Sequence, residues 1–393
     1  MSLPILTLKS DRQRSLINRH PWVFSGAVKD LPKAETGDII QVNDNKGQWL
    51  GYGFFDSRSE IVCKVFEYDN QDAIIDQAYW QLRLTQAYDM RKNLLDLSKT
   101  NCFRLVHAEG DSLPGMIADV YNTTIVLQIL HKGTQNILEH IATSLHNLGF
   151  EFIYLKTKKS SKHIEGINLP QGWLGKEGIP IVSVKENGLA YEVDIENGQK
   201  TGFFLDQRDN RFLLRNYSKN KSVLNAFCYT GGFSVSALRG GATNITSVDI
   251  SKSAVEQCDR NIVENFDGDA PSLSIAADCF DYLREMESGK FDVIVLDPPA
   301  FAKHARAVPQ ASRGYKDINM LAIQKIKPGG IIFTFSCSKN IDTVLFRKIV
   351  FGAGADAKRS VRIIHQLTQG IDHPINIYHP EGEYLKGLVL YVE

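Results

Sequence analysis

Two residues at the ends of apolar runs could carry out chemistry, Asp297 and Cys337. Residues 291–296 lead into Asp297-Pro298-Pro299, and the apolar residues 331–335 lead into Ser336-Cys337-Ser338. A cysteine thiolate is a nucleophile, and a carboxyl group can stabilise or transfer a proton on a substrate. The carboxyl ends of strands in an open α/β sheet face one crevice, so the two side chains are predicted to share a site.

Each of these residues also has a simpler interpretation. Most free cysteines are small buried residues, and Asp297 could cap a helix. Two prolines favour a ligand-facing Asp297, because they fix the path by which the chain leaves the strand. A free thiol has a pKa of about 8.5, so a catalytic Cys337 needs a nearby cation or a helix terminus. The candidate cations are Lys303, Arg306 and Lys316.

A glycine-rich turn follows another predicted strand. Residues 222–227 run into Cys228-Tyr229-Thr230-Gly231-Gly232, and the next strand ends at Asp249. Glycines let the backbone turn sharply and approach a ligand, and an acid in the position of Asp249 accepts hydrogen bonds from ribose hydroxyls in doubly wound sheets. The alternative is that Gly231 and Gly232 only close a tight turn between strand and helix.

A further acid, Asp278, follows the third strand of this series. It could reach the amino group of an adenine, with Cys279 beside it, or it could equally cap the next helix. Cys228 and Cys279 lie close to the turns, and we interpret both as packing residues.

These residues belong to a region in which predicted strands and helices alternate. Strands are predicted at residues 222–227, 245–249, 273–277, 291–296, 330–336, 361–367 and 385–392. This alternation is typical of a doubly wound α/β sheet.

The residues before this region divide into two zones. Residues 1–72 predict a small β-barrel with strands at 38–42, 49–55 and 61–66, and residues 73–185 predict a mixed α+β domain. The second zone begins with a helix at residues 74–97 that has an apolar stripe of Ile74, Ile75, Ala78, Leu82, Leu84, Ala87 and Leu94. It also contains strands at 124–129 and 152–156, a helix at 135–148 and a loop at 160–178. Residues 186–393 then form the third domain, with a hairpin predicted around Asn187-Gly188.

Composition narrows the class of protein. The chain has 393 residues, a formal net charge of zero and six cysteines. No apolar run is long enough to span a membrane, and the charged N-terminus is unlike a signal peptide, so we expect a cytoplasmic protein. The cysteines have neither disulfide nor zinc spacing, so no metal is expected.

Several segments resemble a known family. The glycine-rich turn, the ribose acid and Asp-Pro-Pro are in the order found in class I methyltransferases. More specifically, the chain resembles the bacterial 23S ribosomal RNA cytosine-5 methyltransferases that begin with a PUA domain. The segments that carry this resemblance are residues 20–24 (HPWVF), 104–121 (RLVHAEGDSLPGMIADVY), 198–211 (GQKTGFFLDQRDNR), 225–233 (NAFCYTGGF), 297–301 (DPPAF), 313–320 (RGYKDINM) and 334–338 (TFSCS).

The resemblance implies an N-terminal PUA domain that binds RNA, a central domain that presents RNA, and a Rossmann-like class I methyltransferase sheet. It implies S-adenosylmethionine as cofactor. The residues expected to bind it are Thr201, Phe204, Asp206, Gln207, Arg208, Asn225, Phe227, Tyr229, Thr230, Gly231, Asp249, Ile250, Asp278, Cys279 and Asp297. From the residues alone, Asp206 and Arg208 could equally be an exposed charge pair, although the adjacent aromatic residues favour a ligand.

Cytosine chemistry agrees with this resemblance. Carbon 5 of cytosine becomes nucleophilic only after a thiolate adds to carbon 6, a step for which Cys337 is the candidate. Many RNA cytosine-5 methyltransferases have a second cysteine directly after the two prolines, whereas Ala300 stands here. This departure matches the PUA-containing branch, and it leaves the base that removes the carbon 5 proton unidentified.

Local basic patches make RNA the expected partner, with ribosomal RNA, and 23S in particular, implied by the resemblance. The residues expected to bind RNA are Arg12, Arg19, Lys158, Lys159, Lys303, Arg306 and Lys316. Solvated charged faces are the ordinary alternative for such runs. Two other functions stay open, an amino-group methyltransferase that uses Asp297-Pro298-Pro299 and a non-catalytic RNA-binding factor, and the sequence also leaves a homodimer open.

Overall fold

The computed structural model describes residues 3–157, 166–266 and 270–393. The chain forms two compact units. The first contains Met1–Val184, Val193–Phe203 and Ile371–Gly382, and the second contains Lys185–Glu192, Phe204–Gly370 and Glu383–Glu393. In the described residues, no helix is both long and apolar enough to cross a bilayer.

A six-stranded sheet forms the N-terminal part of the first unit. Its strands are β1 (Ile5–Leu8), β2 (Trp22–Phe24), β3 (Val28–Asp30), β4 (Ile39–Asn43), β5 (Trp49–Phe55) and β6 (Ile61–Glu67), with a short helix α1 (Arg14–Ile17). The strand order is β2-β6-β5-β4-β1-β3. Alternating apolar residues such as Leu6, Leu8, Ile40 and Val42 bury one face of this sheet. The three strands predicted here are confirmed, and β1 to β3 were not foreseen.

A second sheet of the first unit packs against helices. Its strands are β7 (Cys102–His107), β8 (Met116–Tyr121), β9 (Thr124–Ile129), β10 (Phe152–Leu155) and β11 (Gly172–Trp173), and the helices are α2 (Gln77–Leu94), α3 (Lys132–Asn136) and α4 (Leu138–Asn147). The strand order is β11-β10-β9-β8-β7. β8 and β9 are buried along their whole length, so their side chains do not alternate between apolar and polar.

The apolar stripe predicted for α2 is confirmed at Leu84 and Ala87 and is wrong at three of its large apolar residues. Ile74, Leu82 and Leu94 are exposed. The side chains that α2 buries are Trp80, Leu84, Ala87 and Arg91. A charged residue can hold this position because the Arg91 guanidinium donates to Asp111 and to the backbone carbonyls of Arg104 and Asp372, at 2.8 Å for each carbonyl.

The hairpin predicted around Asn187-Gly188 is present. It joins β12 (Ile181–Glu186) to β13 (Leu189–Asp194). Asn187 and Gly188 have φ of 50° and 77°, the left-handed values that a two-residue turn of this kind requires.

A seven-stranded sheet forms the centre of the second unit, which confirms the predicted α/β fold. Its strands are β14 (Ser222–Ala226), β15 (Asn244–Asp249), β16 (Ser272–Ala276), β17 (Val293–Leu296), β18 (Gly330–Ser336), β19 (Val361–Leu367) and β20 (Lys386–Val392). The order is β16-β15-β14-β17-β18-β20-β19, and β20 runs antiparallel to both of its neighbours.

Helices accompany this sheet and enclose its apolar core. They are α5 (Arg208–Ser218), α6 (Gly232–Arg239), α7 (Lys252–Phe266), α8 (Cys279–Glu285), α9 (Val308–Lys325) and α10 (Thr343–Ala357). The strand order reverses direction between β14 and β17, which pair in parallel. A crevice for ligands is expected beyond the carboxyl ends of the strands at such a reversal. The residues that follow β14, β15, β17 and β18 are those to which the sequence assigned chemistry.

Candidate active site

The backbone after β14 is held in an unusual conformation. Phe227 and Tyr229 have φ of 61° and 47°, although neither is glycine, and Gly231 has φ of 81°. Side chains at the start of α8 and at the end of β15 support this turn. The Phe227 amide contacts the Cys279 sulfur at 3.2 Å, and the Tyr229 amide donates to Asp249 Oδ2 at 2.9 Å. A positive φ at a non-glycine residue costs free energy, and such residues cluster at functional sites, so this turn is a candidate ligand-binding segment.

Gly231 has two structural reasons to be glycine. Its φ lies in the left-handed region, and a Cβ placed on it would lie 2.4 Å from the Cys258 sulfur. The simpler interpretation of the turn, in which glycine serves strand-to-helix packing, therefore has direct support. It does not exclude ligand binding, since the same lack of a side chain opens the turn to a ligand.

Asp249 accepts a hydrogen bond from this turn, and Asn225 lies in β14, the strand that leads into it. The two carboxylate oxygens of Asp249 accept the amides of Tyr229 and Ser251, each at 2.9 Å. Asn225 is only 1 % exposed and donates to the Ser234 hydroxyl at 2.9 Å. Among the described residues no donor reaches Asn225 Oδ1, so this buried oxygen is an acceptor without a hydrogen bond.

The segment before α5 contributes a chain of polar contacts to Asp297. Gln207 Nε2 donates to Asp297 Oδ1 at 3.0 Å, and Asn210 Nδ2 donates to Gln207 Oε1 at 2.7 Å. Tyr384 donates its hydroxyl to Asp206 Oδ2 at 2.7 Å. Because the amide of Gln207 is fixed from its other end by Asn210, it can hold the carboxylate of Asp297 in one orientation.

Asp206 and Arg208 are both buried, which removes the exposed charge pair as an explanation for them. The Arg208 guanidinium lies 3.5 Å from the carboxylate of Asp209. Phe204 packs edge-on against the Tyr229 ring, with 5.2 Å between ring centroids. An aromatic pair thus joins the segment before α5 to the glycine-rich turn.

Thr201 belongs to the first unit and makes its contacts there. Its hydroxyl donates to Asp119 Oδ2 at 2.6 Å and lies 3.0 Å from the Tyr121 hydroxyl. Asp119 is also held by both nitrogens of the Arg104 fork, at 2.8 and 2.9 Å. The resemblance assigned Thr201 to the cofactor, whereas the structure gives its hydroxyl two buried protein partners, and β8, which supplies them, was not predicted.

Cys337 lies against the Asp-Pro-Pro turn, so the two chemistry-bearing motifs do meet. Its sulfur is 4.0 Å from the Pro298 carbonyl oxygen. Ser338 Oγ accepts the amide of Ala302 at 3.1 Å and lies 3.0 Å from the Tyr315 hydroxyl, which ties the two turns together. All six cysteines lie in the described part of the chain, and Cys337 is the one that is not buried.

Asp297 does not cap a helix. The helical segments that follow it begin at Ala305 and Val308, and neither has Asp297 as its cap residue. Asp297 instead follows the carboxyl end of β17 directly, where the ligand crevice is expected.

Asp278 does cap a helix, as one of its two interpretations predicted. Its Oδ1 accepts the amides of Phe280 and Asp281 at 2.7 and 3.2 Å. A contact between Asp278 and adenine stays a prediction. Burial raises the pKa of the Cys279 thiol to about 12, so Cys279 stays protonated and suits the packing role inferred for it.

Ile250 and Thr230 complete the predicted cofactor set. Ile250 directly follows Asp249 and is 74 % exposed, which is unusual for a large apolar residue at the end of a central strand. The Thr230 carbonyl accepts the Asn261 side-chain amide at 2.8 Å.

Sequence reasoning missed Lys386 altogether. It is the first residue of β20, pairs in register with Ser336, and is 4 % exposed. Its ammonium donates to the Ser338 carbonyl at 2.8 Å. The available signal was a single lysine at the start of an otherwise apolar strand, but the pairing of β20 with β18 was needed to connect it with Cys337.

Of the basic residues predicted to bind RNA in the first unit, Arg12 is exposed. Arg19 is exposed and pairs with the carboxylate of Asp69. Lys158 and Lys159 lie outside the described residues. The RNA-binding role of these four residues stays a prediction.

The basic residues after Asp297 differ in their surroundings. Lys303 and Arg306 are exposed. Lys316 forms an ion pair with Asp356 at 2.6 Å, and both line an open groove of about 500 Å³.

Comparison with known proteins identifies two families along the chain. Residues 104–373 match the S-adenosylmethionine-dependent methyltransferase family, and residues 6–68 match the PUA-like domain family. The chain is 42 % identical over 389 residues to "Ribosomal RNA large subunit methyltransferase I" of Klebsiella pneumoniae, which covers 98 % of this chain and 97 % of the relative. The protein of the same name from Escherichia coli is 41 % identical over 387 residues, covering 97 % of this chain and 98 % of the relative.

Two solved structures share the fold over their whole length. One is a candidate SAM-dependent methyltransferase from Streptococcus mutans, with a TM-score of 0.83, 23 % identity and complete coverage of both chains. The other is a candidate methyltransferase in complex with SAH, with a TM-score of 0.84, 23 % identity and complete coverage of both chains. At this identity the likeness establishes the fold.

Proposed function

The chain belongs to the S-adenosylmethionine-dependent methyltransferases that also carry a PUA-like domain, and we propose that it methylates carbon 5 of a cytosine in ribosomal RNA of the large subunit. The shared name of its relatives supports large-subunit ribosomal RNA as the substrate. The resemblance described above supports 23S RNA, and this substrate would keep the protein in the cytoplasm. One observation carries the choice of cytosine: the partly exposed thiol of Cys337 lies 4.0 Å from the Pro298 carbonyl, beside Asp297.

The residues around the glycine-rich turn fit the cofactor. Asp249 is an acid at the end of β15, where ribose hydroxyls would be bound, and the exposed Ile250 beside it could cover the flat face of adenine. The unpartnered Asn225 Oδ1 suits an ammonium donor. Phe204 and Tyr229 offer aromatic rings to a sulfonium. When bound, S-adenosylmethionine supplies an electrophilic methyl group to carbon 5 of the base.

Cys337 acts as the nucleophile in this proposal. Its thiolate forms a bond to carbon 6 of cytosine, and the electron pair of the carbon 5–carbon 6 double bond becomes available at carbon 5. After methylation, a base removes the proton from carbon 5, and the sulfur–carbon 6 bond breaks to restore the ring and the thiolate. The target base must leave its stack, or already lie in a loop, to reach the sulfur.

Asp297 binds the edge of the base that includes nitrogen 3. Addition of the thiolate raises the electron density on this nitrogen, so a carboxyl group that shares a proton with it lowers the barrier. Gln207, fixed by Asn210, orients the carboxyl group for this contact. Gln207 is thus a positioning residue in the proposal.

Phe301 argues against the amino-group alternative. In that alternative an aromatic residue after the two prolines packs on the target base. Here the Phe301 ring is packed among protein rings, with centroids 4.6 Å from Tyr315 and 5.9 Å from Phe280. Ala300, which directly follows the prolines, has no ring to offer.

Loss of the thiol tests the proposal. We expect Cys337→Ala to lower methyl transfer to ribosomal RNA by at least about a thousandfold, while S-adenosylmethionine still binds in calorimetry. Cys63→Ala, which removes a buried cysteine of the N-terminal sheet, is the matched control and should keep its activity. Mass spectrometry of the product nucleosides should find 5-methylcytidine, and full activity of Cys337→Ala or a methylated amino group would contradict the proposal.

A further inference from the structure

Lys386 is a buried ammonium that the reaction described above does not use. It is 4 % exposed, and lysines are almost never fully buried unless they are paired. Its two hydrogen bonds go to uncharged acceptors, the carbonyls of Ser338 at 2.8 Å and Tyr384 at 2.7 Å. In the described residues no carboxylate lies within ion-pair distance of the Lys386 nitrogen.

The position of Lys386 connects it to Cys337. It pairs in register with Ser336, the residue before Cys337, and it donates to the carbonyl of Ser338, the residue after Cys337. The ammonium is thus attached to the turn that carries the thiol. This placement follows from β20, which lies between β18 and β19 in the sheet.

The charges that face Lys386 give a reason for its burial. Burial lowers the pKa of Lys386, and the negative charge of an ionised Cys337 opposes this effect. Asp342 and Glu383 raise its pKa as well. Burial raises the pKa of Tyr315, which also faces Cys337, so that phenol remains neutral and does not compete for the ammonium.

The cations that the sequence offered for activation are less well placed. Lys303 and Arg306 are exposed, so solvent screens their charges. Lys316 is neutralised by Asp356 at 2.6 Å. A buried positive charge acts on a nearby thiolate through a lower effective dielectric constant than exposed charges do.

We propose that Lys386 is the positioning residue that holds Cys337 as a thiolate, by placing its buried ammonium beside the turn that carries the sulfur. The inference rests on the proposed function, in which Cys337 is the nucleophile. The thiol loses its proton to solvent, and the resulting negative charge is balanced by Lys386. The ammonium keeps its proton throughout, so Lys386 is not the base that removes the carbon 5 proton.

The reactivity of Cys337 tests this inference without RNA or cofactor. The rate at which iodoacetamide alkylates Cys337 is measured as a function of pH in the full-length protein, with Cys337→Ala giving the background from the five buried cysteines. The wild-type rate should report a thiol pKa below the ordinary value of about 8.5. A wild-type pKa at or above that value would overturn the inference without the need for any Lys386 variant.

Substitution of Lys386 gives the second arm. Lys386→Met keeps the length of the side chain without its charge, and we expect it to raise the thiol pKa by about one unit, which lowers the alkylation rate near neutral pH about tenfold. The rates of both proteins should converge at high pH. Lys386→Arg keeps the charge and should restore part of the reactivity, and Lys316→Met should leave the pKa of the Cys337 thiol unchanged. An unchanged thiol pKa in folded Lys386→Met would overturn the inference.

Enzyme kinetics separate this inference from the proposed function. Lys386→Met should lower kcat at neutral pH, recover activity as the pH rises, and leave KM for RNA unchanged. If Cys337→Ala is inactive but the thiol pKa of Lys386→Met equals that of the wild-type protein, only the role proposed for Lys386 is refuted. If Cys337→Ala stays active, the proposed function itself fails.

Discussion

Replacement of Gly231 by alanine separates the packing role of the glycine-rich turn from its role toward the cofactor. The new side chain meets two obstacles in the structure. Alanine would have to keep a φ of 81°, and its Cβ would lie 2.4 Å from the Cys258 sulfur and 3.0 Å from the Cys258 Cβ. The left-handed conformation costs roughly 1–2 kcal/mol, and forcing an atom into a packed core costs about 1–3 kcal/mol. We therefore expect Gly231→Ala to lower the free energy of unfolding by roughly 2–5 kcal/mol.

A second substitution isolates the steric part. Cys258→Ala removes the atom nearest the new Cβ but does not change the φ of residue 231. In a double-mutant cycle, Cys258→Ala should therefore recover about 1–3 kcal/mol of the loss caused by Gly231→Ala. The remaining loss should be the roughly 1–2 kcal/mol of backbone strain.

Urea unfolding without cofactor measures these differences, and calorimetry with S-adenosylmethionine measures the consequence for binding. A coupling energy within about 0.5 kcal/mol of zero would refute the packing reasoning. If the double variant recovers its stability but binds no cofactor, the absence of a side chain at Gly231 also serves the ligand directly.

Three other predictions follow from buried or exposed charges. Glu186→Gln should lower the free energy of unfolding by about 3–5 kcal/mol in urea denaturation, because it removes the negative charge that faces the buried Arg211 guanidinium, which donates to both Glu186 oxygens at 2.7 and 2.5 Å. Burial lowers the pKa of His131 from 6.5 to about 4, so the unfolded state binds more protons than the folded state between these values, and stability should fall by about 3 kcal/mol as the pH drops through this range. His131 Nδ1 accepts the amide of Gly133 at 3.0 Å at the start of α3. His131→Asn can keep this hydrogen bond and should remove the pH dependence in unfolding measured across that range. Combined Lys303→Ala and Arg306→Ala should weaken RNA binding in a filter assay and reduce the slope of log Kd against log salt by about 1.5.

Each of these predictions has a control and an outcome that contradicts it. Glu393→Gln breaks an exposed pair with Arg362 and should change stability little, so an equal effect of both substitutions would refute the burial argument. A pH dependence that persists in His131→Asn would assign it to another group. Lys290→Ala removes an exposed lysine before β17, at the amino ends of the parallel strands, far along the strand from Asp297. If Lys290→Ala lowered the RNA affinity equally, RNA binding would depend on the net charge of the protein alone.

The sequence predicted the central sheet well because its strands are short apolar runs. The strands β17 and β18 coincide closely with the expected bounds, and the end of β15 at Asp249 is confirmed. Since neighbouring parallel strands place their carboxyl ends together, the meeting of Cys337 with the Asp-Pro-Pro turn could be expected from local patterns alone.

Other features depend on contacts between distant parts of the sequence. The buried face of α2 includes Arg91, whose burial depends on carbonyls of Arg104 and Asp372 that no local pattern reveals. The buried partners of Thr201 come from β8, which lacks the alternation that marks a half-buried strand. Lys386 follows the same rule, because only the pairing of β20 with β18 brings it to the turn of Cys337.

Covalent trapping tests the central claim, that Cys337 bonds to carbon 6 of a cytosine, most directly. Fluorine at carbon 5 replaces the proton that the base must remove, so methylation of 5-fluorocytosine leaves the sulfur bonded to the ring. A large-subunit ribosomal RNA fragment containing 5-fluorocytosine should therefore form a denaturation-resistant complex with the wild-type protein only when S-adenosylmethionine is present. Peptide mass spectrometry should place the bond at Cys337, and Cys337→Ala should form no complex. If the wild-type protein methylates unsubstituted RNA but never traps the fluorinated RNA, the covalent mechanism is contradicted.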